Sequence, residues 1–209
     1  MIDVLGRAAA LAARPGRTLL GIAGAPGSGK STLAATLAPG VPGSVVVPMD
    51  GFHRTTAALA EHGWVAERGT PRTFDVDGYV ALLRRLRTTS EVVRAPAFDR
   101  SIEEPVPDAI EVPADTPLVI TEGNYLLLTD GAWAQLRPLL DETWFVTVPE
   151  PVRLERLIAR HVAYGRSRDE AFARSTTGSD AANARLVAAT RERADLVVDM
   201  GTAPHCPAQ

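Results

Sequence analysis

Residues 24 to 31 read GAPGSGKS, a match to G-x-x-x-x-G-K-[ST]. Phosphate chemistry accounts for each fixed place. Gly27 and Gly29 permit backbone conformations that turn successive N–H groups inward, where they add to the positive end of a following helix. Lys30 then neutralises the β and γ phosphates, and Ser31 offers its hydroxyl to Mg2+. Gly24, Ala25, Pro26, Gly27, Ser28, Gly29, Lys30, Ser31 and Thr32 are therefore the expected nucleotide-binding stretch. A glycine-rich turn that fits the pattern by chance is the bland alternative; an apolar run before it and helical spacing after it argue against that.

Two acids stand at the ends of further apolar runs, Asp50 in VVVPMDGFH and Glu122 in VITEGNY. Open α/β sheets bind ligands beyond the carboxyl ends of their strands, so both acids should face the phosphates. One acid is needed to organise Mg2+ through water. If Glu122 serves the metal together with Ser31, Asp50 is free to accept the proton of an attacking hydroxyl. An Asp-Gly pair after a strand also makes a turn, and a strand-end glutamate also sits on protein surfaces, so the residues alone leave those readings open.

RTFDVDG at 72–78 and FDRSIEEP at 98–105 each set an aromatic beside an aspartate in an irregular segment. Phe74, Asp75, Phe98, Asp99 and Arg100 are candidate acceptor contacts, although helix N-capping explains Asp75 equally well. His53, Arg72 and Asn124 join the same set, the histidine being equally readable as a plain loop residue. Arg153, Arg156 and Arg160 form a helical stripe, whose usual meaning is a solvated face. Phosphoryl transfer nonetheless needs cations around the migrating oxygens. Arg160 and Arg166 flank the polar stretch RSRDEAFARSTTGSD, which reads as a mobile lid able to close and expel water.

The elements that must hold these residues follow from periodicity. TLLGIAG, SVVVPM, LVITEGNYLLL, ETWFVTV and DLVVDM read as buried strands. Helices are expected at the N-terminus (Val4, Leu5, Ala8, Leu11 and Ala12 on one side), in KSTLAATLA (Leu33, Leu37) and in DGYVALLRRLRT (Val80, Leu82, Leu83, Leu86). PEPVRLERLIARHVAYG and AANARLVAATRERA add two more. The prolines of RAPAFDRSIEEPVPDAIEVPADTP exclude a helix and point to a hairpin or long excursion, and about two dozen residues after Met49 look irregular. Buried strands alternating with amphipathic helices mean a parallel sheet covered on both faces.

Bulk properties narrow the partners. A chain of 209 residues, 45% hydrophobic and 22% charged, can bury one full core. Its net charge of −3 gives no field for a nucleic-acid backbone, so a small-molecule partner is expected and no nucleic acid. The N-terminal Ala/Leu run is interrupted by Asp3 and Arg7, and no apolar run suits a bilayer, so no membrane partner is expected. The single cysteine, Cys206, offers neither a disulfide framework nor a zinc site, which fits a reducing cytoplasm.

From Gly21 to about Val198 these motifs together resemble the phosphoribulokinase, uridine kinase and bacterial pantothenate kinase group of P-loop kinases. GIAGAPGSGKST is similar to that group's nucleotide loop, and MDGFH to the stretch whose aspartate is the group's catalytic base. TFD and FDR resemble its substrate loops, TEGNYLL the strand with the metal-associated glutamate, and RADLVV the terminal strand. With APAFDRSIEEPV, RLIARH and GSDAANARLV added, the chain looks like the nucleoside/nucleotide kinase-like subgroup that includes fructose-transport-associated kinases. It departs from uridine kinases in its lid, RHVAYGR, and at His53 and Arg100, where theirs contact the pyrimidine.

The resemblance implies an α/β P-loop NTPase fold, three layers α/β/α around a mainly parallel five-stranded sheet, with a lid and a small substrate-binding excursion. Residues 1–209 would form one kinase domain: a nucleotide-binding core at 15–50, substrate-binding insertions at 50–115 and a lid at 160–182. It favours Asp50 as base, Glu122 as metal organiser, and Lys30, Arg160 and Arg166 as catalytic cations. The expected activity is ATP- and Mg2+-dependent phosphorylation of a hydroxyl on a sugar, nucleoside or pantothenate-like alcohol, in the cytoplasm, with a homodimer left open. The alternatives are a nucleoside-monophosphate kinase, using His53, Arg54, Arg72 and Arg100 as cations for an acceptor phosphate, and a P-loop ATPase acting as a regulatory switch. Asp180 and Asn183 either cap a helix or touch a ligand.

Overall fold

The computed structural model describes residues 2–201; Cys206 and the tail around it lie outside the described residues. The strands in chain order are β1 (Thr18–Gly24), β2 (Val45–Pro48), β3 (Val93–Asp99), β4 (Glu104–Val112), β5 (Leu118–Gly123), β6 (Glu142–Thr147) and β7 (Leu196–Asp199). The helices are α1 (Val4–Ala12), α2 (Lys30–Gly40), α3 (Thr56–Glu61), α4 (Val76–Thr88), α5 (Glu150–Ala163), α6 (Arg168–Thr176) and α7 (Ser179–Ala188).

Five strands make one sheet in the order β2-β5-β1-β6-β7, with every neighbour parallel. β1 lies at its centre and is buried along its whole length, which is why its sequence is a continuous apolar run rather than an alternation. Its side chains still alternate between faces. Leu20 and Ile22 pack with Leu11 of α1 and Leu33 and Leu37 of α2, whereas Leu19 and Ala23 pack with Met49, Leu83 of α4 and Phe145. Each such leucine stabilises the fold by roughly 1.5–3 kcal/mol relative to an exposed one. The result is the three-layer α/β/α arrangement expected from the sequence.

In α4, Val80, Leu83 and Leu86 are fully buried at helical spacing and Leu82 is half-buried. In α1, Ala8 and Leu11 are buried, but Leu5 stays largely outside and rests beside Gly40 at the end of α2. The run LVITEGNYLLL divides: pairing stops at Gly123, and Tyr125, Leu126 and Leu127 enter the core from a non-strand segment.

The proline-rich region is a hairpin of β3 and β4, outside the main sheet, whose register shifts at Pro96. A proline has no N–H for the ladder, so an irregularity there is expected. The segment after Met49 is more ordered than its composition implies: a 3-10 turn at Met49–Phe52, then α3, then 3-10 turns at Val65–Glu67 and Pro71–Thr73.

Most of the polar stretch read as a mobile lid is α6. Ser167 and Glu170 form a reciprocal capping box that satisfies the first N–H groups of that helix, while Ala171 and Ser175, one turn apart, are its buried contacts. No helix among the described residues is long and apolar enough to cross a membrane.

Candidate functional site

Strand order decides where the chemistry can happen. β5 lies between β1 and β2, with Glu122 in register with Ile22 on one side and Pro48 on the other. The loop after β1, the acid on β5 and the turn after β2 therefore meet at one carboxyl edge of the sheet. A cleft of about 810 Å3 opens there, and Pro26, Lys30, Ser31, Asp50, Glu122 and Arg160 all line it.

The phosphate side is a strand–turn–helix unit. Gly27 and Gly29 take φ of 83° and 97°, a region costly for other residues, and a β-carbon at Gly27 would lie 2.7 Å from the Arg153 carbonyl. Lys30 opens α2 and is buried. Burial lowers its pKa, opposed by Glu122 and Asp50, with Arg160 and Arg100 acting in the same direction as burial. Ser31 donates its hydroxyl to Glu122 Oε1 at 2.8 Å. Burial raises the pKa of Glu122, against the pull of Lys30 and the Ser31 hydrogen bond. Gly24 and Ser28 are buried within the loop, and Thr32 lies exposed on the first turn of α2.

Asp50 sits in the 3-10 turn after β2, so it both makes a turn and faces the cleft. Gly51 is required there, because any β-carbon would run into the Pro96 carbonyl of the hairpin. Behind it, the buried Tyr79 hydroxyl donates to Thr121 Oγ1 at 2.5 Å, and Thr121 donates to the Val47 carbonyl at 2.6 Å, tying α4, β5 and β2 together. Arg100 Nη2 donates to Asp50 Oδ2 at 2.5 Å. Burial works to raise the Asp50 pKa, but His53, Arg100, Lys30 and Arg160 outweigh it and the value lies below the usual one. Burial also lowers the His53 pKa, leaving that ring mostly uncharged at neutral pH.

The acceptor side is assembled from distant segments. His53 is packed between Phe74 and Phe98, at ring distances of 4.0 and 4.5 Å. Its Nδ1 lies 2.8 Å from the Asp50 carbonyl; a carbonyl only accepts, so Nδ1 carries the proton and Nε2 is left as an acceptor. Asn124 also lines the cleft, with its buried Oδ1 lacking a hydrogen-bond partner among the described residues.

Three expected acceptor contacts lie outside this lining and hold structure instead. Asp75 is the N-cap of α4, accepting from Gly78 N at 3.1 Å. Arg72 pairs with Glu67 and lies over the Trp64 ring. Asp99 accepts from Ser101 N and Oγ at 2.8 and 2.6 Å, closing the turn that presents Arg100.

The arginine stripe on α5 is not a solvated face. Arg153 is buried, donates to the Pro26 carbonyl at 2.9 Å and forks onto Glu150, so it braces the phosphate loop from behind. Arg156 lies beside Gly29, and Arg160 and Arg166 line the cleft. Burial lowers the Arg160 pKa, and Arg100 nearby adds to that.

A second polar cluster on this wall gathers Asp180 and Asn183, which the sequence leaves between helix caps and ligand contacts, with His161 and Arg174. Asp180 accepts from His161 Nε2 at 2.7 Å and faces Arg174 Nε at 3.4 Å. Asn183 donates to the Gly69 carbonyl at 3.0 Å, and Arg174 to the Arg68 carbonyl at 3.2 Å. Asp180 thus ties α7 to His161 of α5 and Arg174 of α6, and Asn183 ties it to the 68–69 loop. Only GSD-x-x-N-A-R hinted at this, through acids and amides one helical turn apart.

Comparison with known proteins gives a consistent picture. The model of the "Phosphoribulokinase / Uridine kinase family" matches residues 19–205. "Uncharacterized protein YggC" of Escherichia coli K12 is 38% identical over 193 residues, covering 88% of this chain and 78% of that protein. "Putative uridine kinase C227.14" of Schizosaccharomyces pombe is 35% identical over 209 residues, covering 94% and 88%. The crystal structure of a "putative fructose transport system kinase" from Silicibacter sp. TM1040 is 39% identical, with a TM-score of 0.82 over 89% of this chain and 91% of that one. Phosphoribulokinase from Rhodobacter spheroides, at 15% identity, shares the fold with a TM-score of 0.62 over 88% of this chain and 70% of that one. With its phosphate loop and flanking acids set at one sheet edge, this chain belongs to the phosphoribulokinase/uridine kinase family and is an ATP-using P-loop kinase.

Proposed function

We propose that this kinase transfers the γ-phosphoryl group of ATP, with Mg2+, to a hydroxyl of a small polar metabolite such as a sugar, nucleoside or pantothenate-like alcohol. The observation that carries the reading is the position of Asp50, which lines one cleft with Lys30, Ser31 and Glu122 on one side and His53 and Phe98 on the other. The acceptor oxygen attacks the γ-phosphorus, the bond to the β–γ bridging oxygen breaks, and the hydroxyl proton passes to an Asp50 oxygen. The products are ADP and a phosphate ester.

Lys30 and the N–H groups of residues 27–31 hold the phosphates, and Arg160 and Arg166 add positive charge where it develops on the migrating group. Ser31 and Glu122 present a hydroxyl and a carboxylate side by side, hard oxygen donors that suit Mg2+. That ion would neutralise charge on the β and γ phosphates when bound. His53 Nε2 accepts from the acceptor, and Phe98 and Phe74 hold the imidazole in place.

Of the four cations a monophosphate acceptor would call on, His53 and Arg100 line the cleft while Arg72 is engaged with Glu67, which favours an alcohol over a nucleoside monophosphate. The relationship to the Silicibacter protein puts sugars first among the alcohols to try. The test is transfer from labelled ATP across sugars, nucleosides, vitamins and nucleoside monophosphates. Formation of a phosphate ester from an alcohol is expected. Transfer only to monophosphates, or ATP hydrolysis that no small molecule stimulates but a protein does, would overturn the reading.

A further inference from the structure

The Asp50–Arg100 pair poses a chemical difficulty for the proposed reaction, on which the present inference rests. A carboxylate held by a guanidinium at 2.5 Å is a weakened base, since the cation stabilises the charged form that must be given up on accepting a proton. Arg100 is bound there lightly. Its side chain is 41% exposed, it sits on the short turn between β3 and β4, and one nitrogen serves Asp50 while the rest of its fork has no hydrogen-bond partner among the described residues. So open an ion pair is easily exchanged for another.

Charge around the cleft indicates what would exchange with it. Six lysines and arginines line the cleft against four carboxylates. Lys30, Arg160 and Arg166 belong to the phosphate side. Arg68 is engaged with the Glu103 carbonyl and Thr56 Oγ1, and Arg174 with Asp180 and the Arg68 carbonyl. Arg100 is thus the acceptor-side cation whose ionic partner is the base itself. His53 Nε2 adds a hydrogen-bond acceptor to the same wall, which suits a donor hydroxyl.

We propose that the acceptor is a polyhydroxylated anion, a carboxylate or phosphate monoester close in structure to its reacting hydroxyl, and that Arg100 leaves Asp50 to bind that anion. The guanidinium fork matches either group bidentately. Binding the right substrate then frees the base, so a neutral polyol occupying the same cleft meets a carboxylate still paired and reacts slowly. Water is disfavoured as an acceptor for the same reason.

The test uses matched sets: a neutral sugar alcohol, its sugar acid and its phosphate monoester, each with ATP and Mg2+, on the wild-type chain, Arg100→Gln and Arg100→Lys. The wild type should favour an anionic member over its neutral parent in kcat/KM by roughly tenfold or more, the scale of one charged hydrogen bond. In Arg100→Gln that ratio should collapse towards one through a raised KM for the anionic members, with neutral parents turned over faster than by the wild type; Arg100→Lys should recover part of it. Because the ratio is taken within one preparation, partial misfolding cannot mimic its loss. Preference for the acid identifies a carboxylate and preference for the ester a phosphate. Faster transfer to neutral parents by the wild type, or a ratio unchanged in Arg100→Gln, overturns the inference and leaves the kinase reading standing. Transfer to no alcohol at all overturns both.

Discussion

The two walls of the cleft are built on opposite plans. The phosphate wall comes from one stretch, residues 24–31, plus a single acid from the neighbouring strand, and its shape is set by local glycine conformations at a strand–helix junction. The acceptor wall draws on the turn after β2, the 68–74 segment, the hairpin tip, Asn124 and the α5–α7 helices, which meet only in the folded chain. A local wall tolerates little change because one backbone path shapes all of it. A wall assembled from separate segments can be altered one segment at a time.

Substitutions should separate the two walls. Asp50→Asn, at their meeting point, is expected to lower kcat by roughly two to four orders of magnitude with ATP binding retained, the range for a positioned base. Steady-state kinetics together with calorimetric nucleotide binding would check this; unaltered turnover removes Asp50 from the mechanism. Lys30→Ala breaks the phosphate wall and should weaken nucleotide binding itself, with kcat down by roughly 10²–10³. Asp180→Asn perturbs the acceptor wall alone: the acceptor KM should rise by roughly tenfold, the scale of one charged hydrogen bond, while the KM for ATP stays nearly constant. Equal rises in both KM values would show that α7 serves the nucleotide instead.

The pH profile sharpens the comparison further. Asp50 must be ionised to take a proton, so kcat/KM falls as pH drops through its pKa. With His53, Arg100, Lys30 and Arg160 holding that pKa below the usual aspartate value, the acid limb should lie below that value and the rate should be flat on this side through neutrality. Arg100→Gln removes one of those cations and should move the limb upward. A limb near neutral pH in the wild type would point to a histidine as base. The smallest effect belongs to Asp75→Ala, which removes the α4 cap: a loss of about 1 kcal/mol in denaturant unfolding, with kinetics unchanged.

Legibility followed the same division. GAPGSGKS was legible as a glycine-shaped loop opening a helix because the pattern and the structure are both local. TFD did not, because adjacent residues on an extended segment point opposite ways: Phe74 enters the cleft and Asp75 turns out to cap α4. FDR divides likewise, with Phe98 and Arg100 facing in and Asp99 closing the turn. The stripe Arg153, Arg156, Arg160 looked solvated because spacing gives a common face without saying what covers it, and what covers Arg153 is the phosphate loop, 127 residues earlier. The helix α6, opened by the capping box of Ser167 and Glu170, went unread because its polar composition lacks an apolar stripe.

By itself, then, the sequence determined the strands, the phosphate loop and the presence of two strand-end acids, since short-range sterics and burial patterns fix each of these. Only the tertiary structure decided which acid stands beside Ser31, which arginines face the cleft and which aspartates merely cap. Those assignments depend on strand order and on contacts between segments far apart in the chain, and neither leaves a periodic trace in the sequence.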